Sequence, residues 1–171
     1  MEKVYLRALE IGDLERTYKW HNDPNMYRIM GGTFRFVSHA SEEAWIRKKQ
    51  EFSTTDVSLA ICVTETSQHI GNIYLRNIDW VNRHAELQMW IGEQDKRSQG
   101  YGFAAQTLVH NHAFNDLGLL RLYLYILEGN PSIYLAKKFG FVKEGQLRQQ
   151  AFKDGEFKDI VIMGLCVDDI Q

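Results

Sequence analysis

The amino-acid sequence predicts an α+β domain in which helices flank a mixed, mostly antiparallel β-sheet. Segments 57–64, 70–78 and 83–91 are rich in β-branched and apolar residues and follow one another through short polar turns, which predicts an antiparallel meander. Segment 119–127 is almost continuously apolar, as is typical of a strand buried at the centre of a sheet. A helix-like segment, 102–117, lies between the meander and this strand and ends at a glycine, so helices alternate with strands in this half of the chain.

The N-terminal third is predicted to contain one strand, two helices and a loop. Residues 4–9 form a short strand candidate, and Gly12-Asp13 opens an amphipathic helix that ends at Pro24. Residues 25–37 show no periodicity and contain a glycine pair, which favours a mobile loop. A second helix is predicted over 41–52, since its serine cap is followed by two acids in the first turn.

The C-terminal part is predicted to contain one further helix and a β-hairpin. Asn130-Pro131 combines a cap residue with a proline at the first helical position, and Gly140 marks the end of that helix. Segments 141–152 and 157–167 are strand candidates. The Asp154-Gly155 pair between them is a strong hairpin signal.

Length, charge and hydropathy exclude several functional classes. The chain has 171 residues, which suits a single domain spanning 1–171. Its net charge is −2 and it has no long basic block, so we expect no nucleic-acid partner. No apolar run approaches the roughly twenty residues that cross a bilayer, and the charged N-terminus lacks an apolar signal core. We therefore expect a cytoplasmic protein with no membrane partner.

The sequence offers no candidate metal site. Its two cysteines, Cys62 and Cys166, lie in separate apolar runs and are expected to be buried thiols. Neither cysteine has a ligand-type neighbour at a useful spacing, and the six histidines share no metal-binding pattern.

A glycine-rich loop, Arg97-Ser98-Gln99-Gly100-Tyr101-Gly102-Phe103, stands at the start of the 102–117 helix. Glycine lets the backbone approach a ligand closely because it lacks a Cβ atom. The first turn of a helix presents unpaired N–H groups and a partial positive charge. Together these features predict a binding site for a phosphate or pyrophosphate group.

Two familiar phosphate-binding motifs fit this loop poorly. The pattern Gly100-x-Gly102-x-x-Ala105 matches the dinucleotide fingerprint, but that fingerprint needs a strand ending directly at the first glycine. Here a polar loop, 92–99, intervenes, and only about 70 residues follow, too few for the usual six-stranded domain. A Walker-type loop is excluded because the sequence contains no Gly-Lys-Ser/Thr.

Several motifs, taken in order, resemble those of the GNAT superfamily of acyl-CoA-dependent N-acyltransferases. Arg97-x-x-Gly100-x-Gly102 resembles its coenzyme A pyrophosphate loop. Asn130 followed by a helix ending in Gly140-Phe141 resembles its second motif. Five further segments carry the resemblance. Segment 85–92 resembles the central strand, and 142–145 and 152–159 resemble the closing hairpin. Segments 6–9 and 20–24 resemble the start of the branch containing ribosomal-protein N-terminal acetyltransferases and spermidine acetyltransferases.

The resemblance implies the GNAT fold, in which the central strand and the strand after the pyrophosphate helix splay apart and acyl-CoA inserts between them. It implies acetyl-CoA as the acyl donor, with the pantetheine pairing like a β-strand with the main chain of Met89 and Ile91. A backbone N–H in 88–91 would then stabilise the oxyanion. The residues expected to bind the coenzyme are Met89, Trp90, Ile91, Arg97, Ser98, Gln99, Gly100, Tyr101, Gly102, Phe103 and Asn130.

Acyl transfer to an amine requires a base that makes the amine neutral. Glu86 is the candidate, because it stands at the start of the central strand, where related enzymes place a Glu, and it would act through water. The alternative is an exposed strand carboxylate paired with Arg83 or His84.

The departing thiolate also needs a proton donor or another stabiliser. Relatives often carry a Tyr four residues before the Gly of Gly-Phe, but here that position is Ala136. Tyr134 is the nearest tyrosine, and it faces differently on a helix. Either the helix start reorients Tyr134 into the acid role, or the site has no tyrosine acid.

These observations predict an acetyl-CoA-dependent N-acetyltransferase that works by direct attack in a ternary complex. The acceptor would be a primary amine, either a small molecule or a protein N-terminus. Glycines at 31 and 32 replace the acidic pair that spermidine-type relatives carry in this region, which weakens the polyamine case. The alternative, motivated by Ala136, is a non-catalytic acyl-CoA-binding or regulatory module. A homodimer or larger homo-oligomer remains open.

Overall fold

A computed structural model describes residues 2–169 and shows one seven-stranded sheet flanked by helices. The strands are β1 Val4–Ala8, β2 Val57–Val63, β3 His69–Asp79, β4 His84–Ile91, β5 Arg121–Leu127, β6 Val142–Lys153 and β7 Glu156–Cys166. The α-helices are α1 Leu14–His21, α2 Pro24–Ile29, α3 His39–Gln50, α4 Tyr101–Asn111 and α5 Ser132–Lys138. The predicted mixed sheet is confirmed.

The sheet has the order β1-β2-β3-β4-β5-β7-β6 and consists of two antiparallel halves. Strands β1 to β4 form the predicted meander with its N-terminal extension, and β5, β7 and β6 form the other half. The halves are joined by a short parallel pairing of β4 with β5, whose last partners are Glu86 and Tyr123. Beyond these partners β4 and β5 no longer pair, so the sheet opens at its centre.

Apolar side chains cover both faces of the sheet. On one face, helix α4 buries Ala105 and Val109 against strand residues such as Leu87 and Leu122. On the other face a smaller cluster around Tyr74 packs against aromatic rings of α3 and β4. Alternate residues of a strand point to opposite faces, which is why neighbouring residues of β4 contribute to different clusters.

The structure corrects the predicted N-terminal helices. Helix α1 ends at His21, and Pro24 is the first residue of a separate helix, α2. The Asp23 carboxylate caps α2 by accepting a 2.9 Å hydrogen bond from the N–H of Asn25. A proline is well tolerated at a first helical position, where its missing N–H has no partner to lose. Helix α3 starts before Ser41, since Ser38 is its cap, and it ends before Phe52, which is 94% exposed.

Two further expectations are revised. The predicted helix 102–117 changes at Asn111 from α-helical to a wider π-helical turn over 112–116. Cys62 is buried as expected, but Cys166 is exposed. Cys166 ends β7 beside the buried Leu165, and the alternation of side chains turns it outward.

Candidate active site

The opening between β4 and β5 contains a cavity of about 660 Å³. Both strands line it, together with α5 and the loop that follows α2. The cavity begins where the pairing of Glu86 with Tyr123 ends. This agrees with the expectation that the central strand and the strand after the glycine loop splay apart.

Glu86 lies at the closed end of this opening. Its side chain is buried, with the residue 8% exposed, and its Oε2 accepts a 3.1 Å hydrogen bond from Nδ2 of Asn77. The amide of Gln88 donates to its Oε1. Arg83 instead donates to the carbonyl of Gly118, so the structure does not show the exposed, Arg83-paired carboxylate of the alternative interpretation.

An irregularity of β3 brings Asn77 to Glu86. The pairing of β3 with β4 shifts register between Arg76 and Asp79, and Asn77 has a φ of 51°, in the left-handed region. Such a conformation disfavours most side chains but is tolerated by asparagine. Bulges often redirect a side chain beside an active site, and here the amide reaches the buried carboxylate.

His84 does not contact the carboxylate of Glu86 in the described residues. Its Nε2 lies 3.9 Å from the carboxylate of Asp79, which belongs to the same irregular end of β3. The carboxylate of Glu86 is therefore held by two neutral amides rather than by a cation.

The main chain of β4 directs the N–H and carbonyl groups of alternate residues away from β3. The N–H of Gly92 donates to the carbonyl of Ile70 on β3 at 2.8 Å. Because hydrogen-bonding direction alternates along an antiparallel strand, the N–H and carbonyl groups of Met89 and Ile91 point away from β3. They face the widening gap, as a strand-like pairing with pantetheine requires. The Trp90 side chain packs away from this gap, 5.3 Å between ring centroids from Trp20.

The glycine loop leads into the N-terminus of α4. Gly100 precedes the helix with a φ of +84°, a conformation that favours glycine. Ala104 is the first residue of the helix to donate to a helical carbonyl, that of Gly100. The N–H groups of Tyr101, Gly102 and Phe103 are therefore the unpaired donors of the first turn.

Two charged side chains support this loop, and they have different roles. The guanidinium of Arg97 points inward, donating to the carbonyl of Ile91 at 2.9 Å and contacting Met26, so it fixes the loop to the end of β4. The sequence predicted this residue as a coenzyme ligand but gave no reason to consider Lys3. The Nζ of Lys3 donates to the carbonyl of Gln99 at 3.0 Å, which places a cation beside the N-terminus of α4.

Asn130 joins two segments that border the cavity. Its Oδ1 accepts a 2.7 Å hydrogen bond from the N–H of Ser132, which caps the start of α5. Its Nδ2 donates to the carbonyl of Ile29 at the end of α2. Pro131 rather than Asn130 directly precedes α5, so Asn130 supports the helix start from one residue further out than predicted, and its coenzyme contact stays a prediction.

The structure places Tyr134 outside the cavity. Tyr134 is 67% exposed and lies beside Lys138, whose Nζ is 4.9 Å from the ring centroid. Ala136 is 2% exposed and lines the cavity instead. Tyr134 and Ala136 are two residues apart, which corresponds to about 200° of rotation around a helix. The side of α5 that faces the cavity therefore carries Ala136, and Tyr134 points away from it.

Comparison with known proteins agrees with this geometry. The sequence pattern of the family described as "Acetyltransferase (GNAT) domain" matches residues 3–142. The chain belongs to the GNAT acetyltransferase family. The predicted fold, family and enzyme class are thereby confirmed, and the chain is an acetyl-CoA-dependent N-acetyltransferase.

Full-length relatives of this GNAT chain include spermidine N(1)-acetyltransferases. That of Vibrio cholerae is 32% identical over 92% of this chain and 90% of its own length. That of Escherichia coli K12 is 28% identical over 94% of this chain and 84% of its own length. The ribosomal-protein-serine acetyltransferase of E. coli is 31% identical over 58% of this chain and 55% of its own length.

The fold also matches solved GNAT structures. Spermidine N-acetyltransferase of V. cholerae, in complex with CoA and spermine, superposes with a TM-score of 0.90 at 24% identity and covers 99% of this chain and 98% of the other. Among residues 2–169, no helix is long and apolar enough to cross a membrane, and no group of three or more His, Cys, Asp or Glu side chains is arranged to hold a metal ion.

Replacing Tyr134 with phenylalanine is expected to leave turnover within about twofold of the wild type. The phenol is exposed and does not line the cavity, so its loss removes no group near the departing thiolate. Steady-state thiol release at saturating acetyl-CoA measures this effect. A loss of about a hundredfold or more with retained coenzyme binding, the contribution typical of acid catalysis, would restore Tyr134 to the acid role.

Proposed function

We propose that this enzyme transfers an acetyl group from acetyl-CoA to the primary amine of a small molecule bound in the opening between β4 and β5. The observation that carries the proposal is the buried Glu86 carboxylate, held by Asn77 and Gln88 where the two strands separate. The reaction is a direct attack within a ternary complex of enzyme, acetyl-CoA and amine.

In this proposal the coenzyme follows the groups that the fold leaves unpaired. The pyrophosphate binds to the N–H groups of 101–103 at the start of α4. The pantetheine lies along β4 and pairs with the main chain of Met89 and with the N–H of Ile91, whose carbonyl already accepts from Arg97. The thioester then reaches the closed end of the cavity, near Glu86.

Glu86 accepts a proton from the incoming ammonium through water, so that a neutral amine attacks the thioester carbon. The new C–N bond forms as the oxyanion develops, and a main-chain N–H of β4 that faces the gap stabilises that charge. The oxyanion then returns to a carbonyl as the C–S bond breaks, and the second amine proton passes through water to the departing CoA thiolate, which leaves the neutral amide. No tyrosine acid is assigned, because Ala136 occupies the position that faces the cavity.

The relatives favour a small acceptor over a protein N-terminus. Those named spermidine N(1)-acetyltransferase match this chain over 84% or more of their own length, whereas the ribosomal-protein-serine acetyltransferase matches over 55% of its own. One structure of the V. cholerae enzyme is described as dodecameric, which supports a homo-oligomer here as well.

A panel of primary amines with acetyl-CoA, followed by release of free thiol, tests the proposed function. We expect thiol release that depends on the amine, and we expect acetyl-CoA alone to raise the unfolding temperature. A ligand at a hundredfold excess over its Kd stabilises the fold by about 2.7 kcal/mol. Thermal stabilisation without thiol release from any amine would instead identify a non-catalytic acyl-CoA-binding module.

A further inference from the structure

The cavity contains one carboxylate and one cation among the described residues that line it, Glu86 and Arg76. Arg76 of β3 is the direct cross-strand partner of Glu86 in β4. Side chains of directly opposed residues project from the same face of a sheet and are close neighbours. A negative and a positive group therefore stand side by side at the end of the cavity where the amine is acetylated.

Arg76 does not form an ion pair with a carboxylate within residues 2–169. Its Nη1 donates to Oε1 of Gln88 at 3.2 Å, and Gln88 in turn donates to Glu86. An arginine carries five N–H donors in a planar fork that suits carboxylate and phosphate groups. The single described bond to Gln88 orients this fork and leaves most of its donors available to a ligand.

The surroundings of Arg76 contain a further cation, Lys49, and a carboxylate, Asp56, whose Oδ1 accepts a 3.2 Å hydrogen bond from the N–H of Asn77. Lys49 of α3 lies with its Nζ 5.8 Å from the ring centroid of Tyr74. Burial and the charge of Arg76 together lower the pKa of Lys49, an effect that Asp56 partly offsets. Neither Lys49 nor Asp56 lines the cavity, so Arg76 is the charged group of this pair of strands, besides Glu86, that a ligand would meet there.

The described residues of the loop after α2 add no charged side chain to the lining of the cavity. Gly31 and Gly32 line the cavity. Beneath them the buried Lys153 of β6 donates to the carbonyl of Tyr27 at 2.7 Å and to that of Gly32. A ligand with two ammonium groups would find one carboxylate, Glu86, and one guanidinium, Arg76, on the wall of the cavity.

We propose that the acceptor is a primary amine that carries an anionic group, a carboxylate or a phosphate, a few bonds from its nitrogen. Glu86 serves the amine and the guanidinium of Arg76 binds the anion. This assignment rests on the proposed function and narrows its substrate class. It distinguishes the chain from the spermidine acetyltransferases that it resembles, because the second ammonium of a polyamine would approach Arg76.

A set of acceptors of equal length tests the assignment directly. The compounds are butylamine, 4-aminobutanoate, 3-aminopropylphosphonate and 1,4-diaminobutane, which differ only in the charge and shape of the far end. We expect kcat/KM for at least one anionic acceptor to exceed that for butylamine about tenfold, the size of one hydrogen bond to a charged group. The diamine should be the poorest, and the two anions distinguish carboxylate from phosphate recognition.

Substitution of Arg76 provides the second arm. Arg76→Gln should abolish the preference for the anionic acceptor by raising its KM, so that the ratio of its kcat/KM to that of butylamine falls to about one. Arg76→Glu should shift the preference toward the diamine. Arg47→Gln is the matched control, since Arg47 is exposed on α3 and pairs with Glu43, and it should preserve the anionic preference.

The outcomes separate this assignment from the proposed function. A diamine better than butylamine in the wild type, or an anionic preference that survives Arg76→Gln, would overturn the assignment while leaving acetyl transfer intact. No thiol release with any of the four acceptors or with the wider amine panel would overturn the proposed function, and the assignment with it.

Discussion

Replacing Gly102 with valine is expected to weaken acetyl-CoA binding at least tenfold, about 1.4 kcal/mol, while the chain still folds. A Cβ atom at position 102 would lie 3.2 Å from Cε of Met89 and 3.8 Å from Cδ2 of Leu135. Both side chains line the cavity, so the valine would occupy the space beside the start of α4 that the coenzyme needs. Calorimetric titration with acetyl-CoA measures the loss.

The fold should tolerate this change because the φ of Gly102 is not in the left-handed region and the nearest atom is the flexible end of Met89. Gly100 is a poorer probe, since its φ of +84° strains any side chain. Gly12→Val is the matched control, because a Cβ atom there would meet nothing within 4 Å. A folded Gly102→Val variant with unchanged affinity would move the coenzyme away from this loop.

Most of the sheet could be predicted from local patterns. Period-two and continuous apolar runs located the strands to within about two residues, because burial on one or both faces of a sheet leaves a direct trace in the sequence. The hairpin of β6 and β7 shows the same agreement. Asp154 and Gly155 both have positive φ values, 50° and 83°, as a tight two-residue hairpin turn requires.

The parts that local patterns missed depend on where an element starts. Pro24 is compatible both with the end of one helix and with the start of the next, and the sequence alone does not distinguish them. The direction of the Tyr134 side chain could not be predicted for the same reason. Whether its side chain or that of Ala136 faces the cavity depends on the first residue of α5, since each residue turns the helix by about 100°.

Local sequence patterns did not predict the hydrogen-bond network around Glu86, and the reason differs from that for the helix starts. Gln88 shares the face of Glu86 because it is two residues along the same strand, and this signal was available in the sequence. Asn77 comes from β3 and reaches Glu86 through the irregularity after Arg76, and Arg76 of the same strand reaches Gln88 through the register of β3 with β4. Register between strands is a tertiary property, and a bulge changes it by a residue.

Replacing Glu86 with glutamine is expected to lower kcat about a hundredfold or more at neutral pH, the contribution of a general base, with acetyl-CoA affinity nearly unchanged. Glutamine keeps the size of the side chain, and its carbonyl oxygen can still accept from one of the two amides of Asn77 and Gln88, but it cannot accept the proton of the ammonium. The loss should shrink as the pH rises, because the free amine then becomes abundant without a base.

Rates of thiol release from pH 7 upward, at saturating acetyl-CoA, measure both the loss and its pH dependence. Glu65→Gln is the matched control, since Glu65 is exposed in the turn between β2 and β3, and it should retain the wild-type rate. Calorimetric titration of Glu86→Gln with acetyl-CoA verifies that the cleft between β4 and β5 is intact. Wild-type turnover of Glu86→Gln at pH 7 would reduce Glu86 to a structural carboxylate, because a buried base that the reaction does not need makes no difference to the rate.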